Sequence, residues 1–473
     1  MFKFLDDVFR KVVMIRLEDV TFDKIVDILN AKPIGVILMM PQVTQKDIDE
    51  QTSKIWIDIQ NGLVSHKINI PILFTFEDES KLTVYEELKE RAVQKKAGEV
   101  SENPLFHSIP NFEIKSSYAQ LAANLELSVL YGVLASDKEF RSSSKPIVMV
   151  TASYDYMSIA PGMGKGINAA SGMMGVFELS RIFSQLLEDI KLKDSADVDL
   201  MFALTPGSFM GYEPSGQFIE SLNGKLKDRI KFVLCLDSLA YNNDLSMNFG
   251  SVNKADAKFA KSTLKTLKDA GERAGTQIKF NKKATAGSFY EWEHIRYSDK
   301  GFFSGTLTSF KTDTFESQYE KFSVFDNEAN FDEYAFEKNI RLVAEFLLHM
   351  TFPNFDSQSD LIGEERLFSK EIMMKFLEKN PREPTQLNKD SKLTQELHRM
   401  LKFHIKNTKI RKIRVDGANA IKFYEDMPLS HEVVAYNAKP QLLNLTYAMG
   451  ILAAISLAYY LWTNRPTGKA KRD

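Results

Sequence analysis

The feature that most limits this chain is a series of short, strand-like, mostly apolar runs set between longer amphipathic stretches. The runs are Ile34–Met40, Ile70–Phe76, Ile147–Ala152, Val198–Leu204, Ile230–Leu236 and Gly305–Phe310. A strand that is apolar throughout is buried on both faces, which is typical of parallel sheets covered by helices on each side. Residues Gly172–Leu187 offer one such helix, with Met173, Val176, Phe177, Leu179, Ile182, Phe183 and Leu186 on a broad apolar face. Tyr334–Phe352 offers another, through Phe336, Ile340, Val343, Phe346 and Leu347. Ser116–Leu134 also spaces its apolar residues helically and is expected to be a helix. The pattern predicts an α/β fold with a mostly parallel sheet flanked by helices.

With 473 residues, the chain can hold one large α/β domain and satellites. Residues 1–110 are expected as a smaller N-terminal α/β unit, truncated at its start, with Glu86–Glu102 as a solvated helix and linker. The main domain is expected over 111–353. Residues 354–440 are charged and read as a membrane-proximal region, largely helical with few strands. Sixty-one basic residues against 63 acidic ones give a net charge of −2, with the two signs interspersed. That distribution excludes the basic face of a nucleic-acid binder. The single cysteine, Cys235, lies inside Phe232–Leu236; it cannot form an internal disulfide and reads as a small buried hydrophobe.

Leu442–Trp462 carries no charge. A helix of this length rises roughly 30 Å, the thickness of a bilayer's hydrocarbon core. Tyr447 lies near one end, and Tyr459, Tyr460 and Trp462 cluster at the other, where interfacial aromatics belong. The expectation is a transmembrane helix over 441–463 followed by a basic tail, 464–473, with Arg465, Lys469, Lys471 and Arg472. The positive-inside rule places that tail in the cytosol and the large domain across the membrane. Such a topology needs an N-terminal signal, yet Met1–Asp7 has acids where an apolar segment should be. Either the chain is tail-anchored with a cytosolic domain, or the sequence begins downstream of the natural start.

Chemistry is expected at the carboxyl ends of the strands. There, Val150-Thr151-Ala152-Ser153-Tyr154-Asp155 leads into a glycine-rich loop, Pro161–Gly166. Asn168-Ala169-Ala170-Ser171-Gly172 and Phe177-Glu178-Leu179-Ser180-Arg181 follow. The loop has neither dinucleotide nor phosphate-loop spacing. Taken together, the stretch Ile147–Phe346 resembles the zinc aminopeptidases of the M28 type. Those enzymes carry His-x-Asp after a strand, then Asp-Asn-x-Ser-Gly opening a helix, a strand ending in Glu-Glu, a strand ending in Asp, and a late His. Phe232–Asp237, Glu291-Trp292-Glu293-His294, Met14–Leu17 and the C-terminal helix extend the resemblance to the nicalin family, relatives of nicastrin. Family members start with a signal peptide, which favours the second explanation for the N-terminus.

The resemblance implies a di-metal site, and its ligand positions fall on altered residues. The first His falls on Ser153, the bridging Asp on Asn168, the Glu-Glu pair near Pro206 and Gly207, and the last His near Phe322. Asp237 is retained, as is Asp155, which in the family orients the first His. Serine, amide, proline–glycine and phenylalanine cannot neutralise two divalent cations or supply a general base. The expectation is therefore a peptidase-like domain with no cofactor, metal or catalytic residue. Glu291, Glu293 and His294 form a possible pocket, and a Ser153/His294/Asp155 triad is formally conceivable.

The resemblance implies a non-catalytic subunit of an endoplasmic-reticulum membrane complex. Its partners would be a Nodal modulator-like lumenal protein of immunoglobulin-like domains, a small multispanning membrane protein and the translocon. The role would be to assist multipass membrane protein insertion and receptor assembly. The alternatives are a membrane-bound aminopeptidase with a reorganised site, or a nicastrin-like substrate receptor of an intramembrane protease.

Overall fold

The structure is a computed structural model. It describes residues 11–41, 50–66, 68–96, 109–115, 120–121, 125–135, 143–160, 162–188, 195–282, 292–310, 323–324, 326–328, 331–353, 369–380, 382, 391–415, 424–425, 432–438 and 441–464.

The N-terminal unit alternates strand and helix: β1 (Val12–Arg16), α1 (Phe22–Asn30), β2 (Gly35–Met40), α2 (Glu50–Ser65), β3 (Ile72–Phe76) and α3 (Glu79–Lys96). Its three strands pair in parallel in the order β1-β2-β3. The central strand is buried along its whole length, as its continuous apolar sequence requires. Trp56 of α2 is the anchor to the main domain. Its indole is buried and donates to Ser323 Oγ at 2.9 Å, while Ala160 and Val324 join the same apolar cluster.

The main domain is built on eight strands. In chain order they are β6 (Leu125–Leu134), β7 (Ile147–Ser153), β8 (Asp199–Thr205), β9 (Ile230–Asp237), β10 (Leu245–Phe249), β11 (Ile278–Lys282), β12 (Ser304–Thr308) and β13 (Thr408–Val415). Their order across the sheet is β11-β10-β12-β9-β7-β8-β6-β13. The centre is parallel, β12-β9-β7-β8, and the flanks bring in antiparallel pairs at β10-β12, β8-β6 and β6-β13. This is the mixed but parallel-centred sheet that the apolar runs imply.

Helix α4 (Ile167–Leu186) lies across β7 and β9 and is buried almost throughout. Small residues let it approach closely: a Cβ on Gly172 would stand 2.3 Å from the Leu236 carbonyl oxygen. Helices α5 (Glu213–Ser221), α6 (Gly224–Arg229), α7 (Ala257–Arg273), α8 (Glu293–Asp299) and α9 (Glu333–Thr351) complete the two layers. The face carrying α4 and α9 holds the larger core, with Phe177, Phe183, Phe232 and Phe346 among its fully buried rings. The opposite face packs Phe218, Ile219 and Tyr297 against Met149, Val233 and Cys235.

Two sequence expectations need correction. Ser116–Leu134 is not a helix where it is described: it gives β5 (Gln120–Leu121) and β6. Leucine's helix preference yields because β6 is paired on both sides, with β8 and with β13. Second, the charged region expected over 354–440 is not apart from the main domain where it is described. Helices α10 (Lys370–Lys379) and α11 (Lys392–His404) bury Met373, Leu377, Leu393, Leu397 and Leu401 in the main core, and β13 joins the sheet. β13 escapes sequence reading because an edge strand shows solvent so many basic side chains that Ile413 alone is buried among residues 408–414.

The pairing of β6 with β13 is followed by β5 with β14 (Tyr424–Glu425) and by β4 (Ile109–Lys115) with β15 (Glu432–Ala438). The same antiparallel sense thus runs from Gly132–Thr408 out to Ile109–Ala438. Helix α12 (Gln441–Thr463) starts three residues later. Its Leu442–Thr463 segment is long and apolar enough to cross a membrane and buries nothing against the rest of the chain.

Gly172→Ala tests the close approach of α4. In an ordinary helix interior, alanine stabilises by about 1 kcal/mol over glycine. Here the added methyl meets backbone, so we expect a destabilisation of about 1–3 kcal/mol in denaturant unfolding. A stabilised variant would contradict this packing.

Candidate functional site

The carboxyl ends of β7, β8 and β9, with α8 beneath, converge on a small enclosed pocket. It is lined by Ser153, Ala169, Ser208, Tyr212, Cys235, Leu236, Asp237, Glu293 and Thr306. Its free volume is about 10 Å³, on the order of one water molecule. The structure therefore brings Ser153, Asp237 and Glu293 to one place. Pro206 and Gly207 follow the end of β8 close by, and Asn168 sits at the start of α4, beside Ala169. Phe322 and Glu291 lie outside the described residues.

Asp155 is fully buried just past β7. Its Oδ1 accepts the Ser153 hydroxyl at 2.5 Å and the Ser208 N–H at 3.1 Å, and its Oδ2 accepts the Gly207 N–H at 2.7 Å. Gly207 can present that N–H because it adopts φ +97°, a left-handed conformation that glycine tolerates. Burial pushes the Asp155 carboxyl above its ordinary range, against the opposing pull of these hydrogen bonds.

Glu293 is the second buried acid, 3% exposed. Four hydroxyls converge on its Oε1: Thr205 at 2.7 Å, Ser215 at 2.9 Å, Tyr297 at 3.1 Å and Thr151 at 3.3 Å. Burial raises this carboxyl too, with the four hydroxyls opposing. The neighbouring Cys235 thiol is buried and pushed well up by the same desolvation and by Glu293, so it stays protonated. Asp237 accepts from Ser238 Oγ at 2.9 Å and from Tyr212 OH at 3.4 Å.

The N-terminus of α4 is closed in the same manner. Gly166, at φ +60°, precedes the helix without a capping side chain of its own. Asp326 supplies one from a distance: its Oδ1 accepts the Asn168 N–H at 2.9 Å, and its carbonyl accepts those of Lys165 and Gly166. Arg382 is buried over Tyr156 and donates to the carbonyls of Lys165, at 2.7 Å, and Gly166. Sequence reading missed Asp326 and Arg382 as site residues. Their signal is only spatial, since 158 and 216 positions separate them from the groups they hold.

His294 is buried, its Nδ1 3.0 Å from Thr306 Oγ1 on β12. The formal triad is not assembled: the Ser153 hydroxyl bonds Asp155 directly, with no imidazole between them.

These residues do not fit a pair of divalent cations. The oxygens of Asp155 are taken by protein donors, Glu293 Oε1 has four, and the amide oxygen of Asn168, which carries no formal charge, has no hydrogen-bond partner. Among the described residues, no group of three or more His, Cys, Asp or Glu side chains is arranged to hold a metal ion. We derive no chemistry through a metal here.

Residues 135–347 match the model of peptidase family M28. The chain is similar to nicalin over nearly its whole length. It is 22% identical to the human (Homo sapiens) BOS complex subunit NCLN over 474 residues, covering 95% of this chain and 82% of that protein. The zebrafish (Danio rerio) subunit is 23% identical over 487 residues, with 95% and 83% covered. The crystal structure of the gamma-secretase component nicastrin shares the fold, with a TM-score of 0.59, 91% of each chain covered and 9% identity. The resemblance read from the sequence is borne out.

The two raised carboxyls set the sign of a pH effect. A buried acid that holds its proton more tightly folded than unfolded stabilises the fold at low pH. That contribution is lost as pH rises from the ordinary carboxylate range through the raised native values. Glu293→Gln, which keeps an acceptor oxygen for the hydroxyls, should remove its share of this dependence and flatten stability against pH. Glu293→Ala should cost about 2–4 kcal/mol, because buried hydroxyls lose their acceptor. Urea unfolding between pH 4 and 8 reads both; a steeper dependence in the Gln variant would contradict the assignment.

Proposed function

We propose that this chain is a non-catalytic subunit of a membrane complex of the nicalin–Nodal modulator type in the endoplasmic reticulum. One observation carries the reading: Ser153, Asn168, Pro206 and Gly207 stand where the resemblance implies metal ligands, and the buried acids beside them, Asp155 and Glu293, are committed to protein donors. Among the described residues no cluster of His, Cys, Asp or Glu is arranged to hold a metal ion and its activated water, which supports the non-catalytic reading. What remains is a large shaped surface. The relatives' name, BOS complex subunit, supports assembly with other proteins.

The apolar helix α12 supports a single membrane crossing, with the 464–473 tail cytosolic and the globular domain lumenal. In this reading the partners are a lumenal protein of immunoglobulin-like domains resembling the Nodal modulator and a small multispanning membrane protein. The assembly works beside the translocon, assisting insertion of multipass proteins and assembly of receptors. Ser153, Asn168, Pro206, Gly207, Asp237 and Phe322 are its vestigial ligand positions.

Mild-detergent purification of the tagged full-length product tests this. We expect co-purification of those two partners and translocon subunits, together with no hydrolysis of aminoacyl p-nitroanilides. Metal-dependent hydrolysis that vanishes on Asp237→Ala, or co-purification of a presenilin-like protease instead, would overturn the reading. In sealed microsomes the globular domain should resist added protease while the C-terminal tail is clipped. Digestion of the domain would place it in the cytosol.

A further inference from the structure

The end of α11, the turn after it and β13 are rich in basic residues. From Lys402 to Arg414 the chain carries Lys402, Lys406, Lys409, Arg411, Lys412 and Arg414 and no acid. All six are exposed. Arg411 is spent on the Ser221 hydroxyl and carbonyl, and Lys412 and Arg414 share Glu126. Lys402, Lys406 and Lys409 form no ion pair among the described residues. Ile410, 45% exposed, and Phe403, 85% exposed, stand among them.

β13 pairs with β6 on one side, and among the described residues no strand pairs with its other side. An open edge is a row of main-chain donors and acceptors that accepts a further strand. The charge decides which strand. A second copy of β13 would set lysine and arginine against lysine and arginine, which like-charge pairing disfavours. An extended segment with acidic residues on alternate positions would complete the backbone ladder and neutralise the free lysines, and its apolar positions would cover Ile410. A lipid surface fits less well, because Lys402–Lys409 lie at the Thr408 end of the pairing with β6, β5 and β4. Helix α12 starts beyond Ala438, at the opposite end.

We propose that the β13 edge, with Lys409 and Ile410 on the strand and Lys402 and Lys406 in the helix end and turn that lead into it, is a docking site for an acidic, extended segment of a partner protein that adds a ninth strand to the main sheet. The proposal is independent of whether the cleft is catalytic.

The test uses the full-length protein in detergent and a blocked heptapeptide of alternating Glu and Val. Controls are a Lys/Val peptide, Glu/Val peptides with every second amide N-methylated in either phase, and phosphatidylserine vesicles. The Glu/Val peptide should bind and slow amide exchange within 408–415. One of the N-methylated peptides should bind at least about tenfold more weakly, as should the Glu/Val peptide to a Lys406→Glu/Lys409→Glu variant. Lys406→Gln/Lys409→Gln serves the same purpose should the charge reversal unfold the protein. The proposal is overturned if the peptide does not bind or leaves exchange within 408–415 unchanged. Equal binding of both N-methylated peptides would reduce it to charge alone, and protection of 408–415 by the vesicles would assign the surface to lipid.

Discussion

Two carboxylates, Asp155 and Glu293, end up away from water beneath the central strands, and a buried acid needs either a cation or a set of hydrogen-bond donors. Here donors supply the answer. Backbone N–H groups and a serine surround Asp155; threonine, serine and tyrosine hydroxyls surround Glu293. Neutral dipoles of the protein itself hold both acids in place. The pocket beside them has a free volume of about 10 Å³, the size of a single water.

The surroundings reinforce this closure. The 162–166 loop is held by Asp326, by Arg382 and by Tyr156, whose hydroxyl reaches the Ser323 carbonyl at 2.8 Å. Gly164 and Gly166 have no room for a side chain against Tyr156. Trp56 of the N-terminal unit bonds the Ser323 hydroxyl, so the two units meet beside the cleft. Three distant parts of the chain are thereby committed to one loop.

The fold was legible where burial is complete. β2, β7, β8, β9 and β12 are buried along nearly their whole length, and apolar runs in the sequence mark β2, β7, β8 and β9, whereas β12 buries serine, glycine and threonines around Leu307. β6 was misread because its leucines satisfy helical spacing, and only pairing on both sides makes it a strand. β13 was missed because an edge strand is mostly solvent-facing and carries no apolar run. In the site, Ser153, Asp237 and Glu293 could be placed together by motif order alone. The hydroxyl cage of Glu293 could not, since Thr151, Thr205, Ser215 and Tyr297 are unremarkable residues until folding aims them at one oxygen. Arg382 belongs to a stretch whose composition reads as solvent-facing, and nothing in the sequence signals its burial.

The central claim is that protein donors have replaced metal at the strand ends. Its most direct test is anomalous diffraction at the zinc absorption edge from crystals of the full chain soaked in millimolar zinc, with density examined around Ser153, Asn168 and Asp237. The account requires no ordered zinc there and an intact Ser153–Asp155–Gly207 hydrogen-bond set. Two anomalous peaks within a few ångströms of Asp237, with Asp155 or Glu293 turned towards them, would contradict it.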